Sequence, residues 1–100
     1  MNVGEAREFA QQYLDSSGAT EQGQRLVVFS DDQLAEDLGW CYMFHYNTER
    51  YMETGDFRDA MGPGGGPLAV AKKDGKVFES GSAPGYKERL DEQGRAHGYL

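Results

Sequence analysis

The sequence predicts an α+β fold: a small antiparallel sheet of about four strands, with an N-terminal helix packed on one face and a short helical insert and tail. Three observations carry that expectation. Apolar residues recur at helical spacing between Val3 and Leu14. Aromatic residues alternate with other types through Trp40-Cys41-Tyr42-Met43-Phe44-His45-Tyr46, the period of a strand. Asp74-Gly75 lies between two β-type runs, the signal of a hairpin.

Taken in order, Val3, Ala6, Phe9, Ala10, Tyr13 and Leu14 share one helix face. Asn2 and Glu5 have the spacing of a capping box, and Gly18 is a suitable stop. Arg25 to Ser30 is a short β-branched run and a strand candidate. The acidic connection Asp31-Asp32-Gln33-Leu34-Ala35-Glu36-Asp37 follows, with room for a helical turn. The aromatic strand comes next, its Trp40, Tyr42, Phe44 and Tyr46 expected beneath the helix. Cys41, Met43 and His45 are then expected on an open sheet face. Thr48 to Asp56 reads as a turn or two of helix ending at Gly55.

The glycine run "GPGGGP" could be a phosphate cradle or a lead-in to a hairpin. A phosphate loop needs a strand before its glycines and a helix after them. Here a β-type run follows, and Pro67 removes an N–H donor at the lip. The hairpin lead-in is therefore expected. The tail holds one weakly amphipathic piece, Tyr86 to Leu90, and Gly94 and Gly98 suggest loose order from about residue 92. One domain over residues 1–100 is expected, with no internal repeat.

The charge excludes some partners. Seventeen acidic residues against ten basic give −7. Residues 1–50 hold nine acids and three bases, and residues 51–100 hold eight and seven. Nucleic acid and anionic membrane surfaces both select the opposite sign, so neither is expected as a partner. A basic protein would be attracted, chiefly through a faster encounter. The residues after Met1 have neither a basic n-region nor an apolar stretch, so no export signal is expected. One cysteine forms no internal disulfide and suits a reducing cytoplasm.

Catalytic chemistry finds little support. On a strand, Cys41 and His45 lie about 13 Å apart along one face, far beyond the reach of a nucleophile and its base. One Cys and two His match no zinc spacing, and the acidic connection lacks the order of a calcium loop. No cofactor, metal or catalytic residue is expected. The candidate partner-binding residues are the carboxylates Asp31, Asp32, Glu36 and Asp37, which have no base among them, and Met43 and His45 on the open face. A protein partner or a second copy of the chain would suit that face.

In order, the chain carries Gly39-Trp40 opening an aromatic strand, Tyr51 to Asp56 reading Tyr-x-Glu-Thr-Gly-Asp, and Gly64 to Pro67 leading into an apolar strand. Lys73 to Gly75 then forms the hairpin, and Gly81 to Pro84 ends the return strand. With the helix ending in Tyr13 to Asp15, this set resembles the YrhB-like, or immunity protein 35, family of small bacterial proteins over nearly the whole chain. The three consecutive glycines at Gly64 to Gly66 and the acidity of residues 31–37 depart from that pattern. The resemblance implies a non-enzymatic α+β protein that binds and neutralises a cognate bacterial toxin. For one branch it implies the alternative, a chaperone-like stress protein binding unfolded clients. It brings no catalytic or toxin-contact residues to transfer.

Overall fold

A computed structural model describes residues 1–18, 20–21, 23–60, 65–81 and 83–100. Helix α1 runs Val3–Ser17. Its start is fixed as the sequence predicts: the Asn2 side chain accepts from the Glu5 N–H at 2.8 Å, and Glu5 accepts from the Asn2 N–H at 3.1 Å. Gly18, at φ 69°, ends it in a left-handed conformation that costs glycine little. Two short strands, β1 (Thr20–Glu21) and β2 (Gln24–Val28), form an antiparallel pair. A 3-10 turn at Asp32–Leu34 and the two-residue β3 (Glu36–Asp37) make up the acidic connection. Strand β4 is Cys41–Thr48, α2 is Glu49–Thr54, and a second 3-10 turn covers Phe57–Asp59. Strand β5 (Gly65–Ala71), strand β6 (Val77–Glu79) and helix α3 (Tyr86–Ala96) complete the chain.

The sheet runs β1-β2-β4-β5-β6, all antiparallel, with β3 pairing β4 alongside β2. Its centre is therefore β4. Val28 opposes Tyr46 and Glu36 opposes Met43 on one side, while Cys41 opposes Ala71 and Phe44 opposes Leu68 on the other. The β4–β5 register shifts by one residue between Phe44 and Tyr46. Pro67, which has no N–H to donate, falls in this interruption between the pairs Phe44–Leu68 and Tyr46–Gly65. Gly65 and Gly66 already belong to β5, a strand and not a helix, as the hairpin reading expects; Gly62, Pro63 and Gly64 lie outside the described residues. The hairpin loop is wider than a two-residue turn. The Ala71 N–H reaches the Lys76 carbonyl at 2.9 Å, and the Gly75 N–H bonds the Ala71 carbonyl at 2.8 Å.

Alternation along the strands divides the core into two layers. Ala6, Ala10 and Leu14 of α1 pack on Leu26, Val28, Phe44, Leu68 and Val70, with Tyr42 and Tyr46 half-buried at the margin. The opposite face, expected to be open, is covered. Cys41, Met43, Ala69, Ala71 and Phe78 pack there with Leu90 of α3. Trp40 joins this second layer and leaves the aromatic stripe, because it precedes the strand at a bend where Gly39 has φ 92°. Trp40 stacks on Tyr99 with centroids 5.6 Å apart and meets Phe78 edge-on at 5.7 Å. The tail expected to be loose from about residue 92 is thus helical to Ala96 and packed beyond it.

Candidate partner-binding surface

The acidic connection is tied to the rest of the chain by charge. Asp31 caps the first 3-10 turn by accepting from the Gln33 N–H at 2.9 Å. Asp32 pairs with Arg7 of α1, whose Nε also donates to the Phe29 carbonyl at 3.1 Å. The Arg7 guanidinium lies 5.8 Å from the centre of the Phe44 ring. Glu36 pairs with Lys87 of α3 at 2.5 Å. Asp37 accepts from Lys72 Nζ at 2.7 Å and from the Gly39 N–H at 2.8 Å. Those two donors, Lys72 first, hold the Asp37 carboxyl below its usual range, and the hydrogen bond to Asp37 raises the Lys72 ammonium in return. The sequence shows no base among these four carboxylates. The fold supplies three cations from three distant segments.

Met43 is 1 % exposed beneath α3, so it forms core and presents no contact surface. His45 is exposed at the β4–β5 register shift, and its carbonyl accepts from the Phe29 N–H at 3.1 Å. Cys41 is also sealed in the second layer. Burial, with smaller contributions from the charges of Asp91 and Asp37, pushes its thiol up to about 12. At neutral pH it is therefore protonated and a poor nucleophile. Among the described residues no three His, Cys, Asp or Glu side chains gather as a metal site would need.

The segment between β4 and β5 is helical at Glu49–Thr54 and stops at Gly55, as the sequence predicts, but it also carries a residue the sequence did not single out. There α2 and the second 3-10 turn project Phe57, which is 85 % exposed. Thr48 anchors the base of the segment, accepting from the Tyr51 N–H at 3.1 Å and donating to the Asp59 carbonyl at 2.6 Å. The available signal was an aromatic residue within a run of polar ones, Asp56-Phe57-Arg58-Asp59. No periodicity assigns such a residue to a core face.

No helix among the described residues is long and apolar enough to cross a membrane. No curated protein and no solved structure matches the chain. Residues 4–93 match the family described as Immunity protein 35, a span from the first turn of α1 into α3; the YrhB-like half of the resemblance is not part of that match. With nine-tenths of its length aligned in this way, the chain belongs to the immunity protein 35 family.

Proposed function

We propose that this chain is a non-enzymatic, cytoplasmic module that binds a cognate bacterial toxin domain and neutralises it by occupying its surface. The observation that carries the reading is the family match over residues 4–93. The charge supports it: a chain at −7 attracts a basic protein and speeds its encounter, whereas it repels phosphate backbones and anionic lipid. Asp31, Asp32, Glu36 and Asp37 all reach solvent, and His45 is exposed and available for direct contact. Because Asp32, Glu36 and Asp37 already hold cations of the same chain, these pairs add little field at a distance, and the attraction comes from the acidic surplus of the whole chain. The alternative, a chaperone-like stress protein for unfolded clients, comes from one branch of the resemblance; α3 covers the sheet face that such clients could otherwise use.

Co-expression tests the proposal. Cells producing the toxin domain encoded by the neighbouring reading frame should grow only when this chain is also present. Continued growth arrest with the chain abundant and folded contradicts the proposal. Association of the purified pair should slow as salt rises.

A further inference from the structure

Single apolar side chains at a surface are common and call for no explanation. Phe57 differs in the way it is held. The Asp56 carboxylate caps its 3-10 turn, accepting from the Arg58 N–H at 2.9 Å, and grips the Arg58 guanidinium at 2.7 Å. The Thr54 hydroxyl donates to the Asp59 carboxylate at 2.7 Å and accepts from the Asp56 N–H at 3.1 Å. Arg50 pairs with Asp59 at 3.3 Å. Thr48 pins the same turn to the end of β4. Many polar contacts thus fix a backbone whose one large apolar group points into water. Tyr51 lies beside it with ring centroids 6.4 Å apart, which widens the apolar tip.

A ring presented on an already ordered turn loses little freedom on binding, and this is the geometry of an interface anchor. The surroundings specify the complement. Residues 49–59 carry Glu49, Glu53, Asp56 and Asp59 against Arg50 and Arg58, so the rim is acidic. Glu53 is exposed and has no ion-pair partner among the described residues.

We infer that Phe57 is the anchor by which this chain docks on its protein partner, the ring entering an apolar pocket with a cationic rim that faces Glu53. The inference rests on the toxin-neutralising reading and names the face that reading leaves open. The acidic connection is the weaker candidate because its apolar side chain, Leu34, is 49 % exposed, against 85 % for Phe57.

The test uses the full chain and a catalytically inactivated form of the toxin domain encoded beside it. Phe57→Ala should weaken the complex by about 30-fold or more, the loss typical of an interface hot spot. Its thermal unfolding should be unchanged, because the ring is 85 % exposed. Phe57→Tyr should retain most of the affinity, and Glu53→Gln should slow association at low salt only. Tight binding unaffected by Phe57→Ala overturns the anchor while leaving the toxin reading intact. A loss produced by Leu34→Ala instead moves the contact to the acidic connection and overturns the inference equally. A chain that self-associates without the toxin domain, and becomes monomeric on Phe57→Ala, assigns the ring to a second copy. No binding by the unsubstituted chain removes both the toxin reading and the inference.

Discussion

Gly94 occupies a helix interior, where alanine is ordinarily favoured by about 1 kcal/mol. A Cβ at this position would stand 2.7 Å from Trp40 Cε2 and 2.8 Å from Cζ2. The indole also packs against Tyr99 and Phe78, and its Nε1 donates to Asp91 at 3.1 Å, so it has little room to yield. Gly94→Ala should therefore destabilise the protein, by about 1–3 kcal/mol as overpacking does, despite the gain in helix propensity. An increase in the urea midpoint would show instead that the ring moves freely. The same residue shows where sequence reading fails. Gly94 reads as a breaker in a loose tail, yet it is the small position of a stripe, Tyr86, Leu90 and Gly94, at four-residue spacing. A lone glycine in such a stripe looks the same whether it ends a helix or admits a neighbour's ring. Only knowing where Trp40 points distinguishes the two.

At the scale of elements, α1 and β4 were legible because their signals are local. A capping box, a left-handed glycine stop and an apolar stripe all lie within α1 itself, and the observed helix matches them. The parity of β4 was also readable, with Tyr42, Phe44 and Tyr46 facing α1. The burial of Met43 was not, since it depends on α3 arriving from about forty residues further along the chain. Helix α3 is bound to the sheet edge by polar contacts as well: Arg89 donates to the carbonyls of Ser80, Ala83 and Pro84, and Gln93 to that of Glu79. Gln11 of α1 does the same at the other edge, donating to the Leu26 carbonyl at 3.0 Å and accepting from the Val28 N–H at 2.9 Å. Strand groups that could template another chain are thereby occupied. A chain stopped after Pro84 should expose the second layer. Its Cys41 should then react readily with a disulfide reagent at neutral pH, while in the full chain the thiol should react only as fast as the protein opens. Rapid labelling of the intact protein would contradict the sealed placement of Cys41.

Taken as a whole, the molecule is laced by ion pairs between segments remote in sequence, such as Arg25 with Asp15 and Glu49, Lys72 with Asp37, and Lys87 with Glu36. The surplus of acid read from the sequence is thus partly internal wiring, which explains why the four carboxylates at 31–37 looked more available than they are. Asp15, held by Arg25, Asp37, held by Lys72, and Asp74, held by the Tyr99 hydroxyl, all have carboxyls lowered below their usual range. The unfolded chain therefore binds more protons than the folded one in mild acid. These groups contribute stability above the unfolded value near 4, and that contribution is lost as pH falls through their lower folded values. The urea midpoint should be lower at pH 3 than at pH 7, and the difference should shrink in high salt because these groups are exposed. In alkali the sign reverses for Tyr13, whose hydroxyl, donating to Glu79 at 2.6 Å, is raised to about 12. Its contribution is complete below the unfolded value near 10 and is lost as pH rises towards 12.

The seam between α3 and the sheet has a practical consequence. The chain contains one tryptophan, and its indole lies at that seam, against Gly94, Tyr99 and Phe78. Its fluorescence is therefore a native optical reporter of the C-terminal helix docking or lifting, and it can be followed without a label. Phe57 lies on the connection between β4 and β5, outside the aromatic cluster around the indole. A partner that seats on the insert should leave the emission nearly unchanged, whereas one that pries at the tail should shift it.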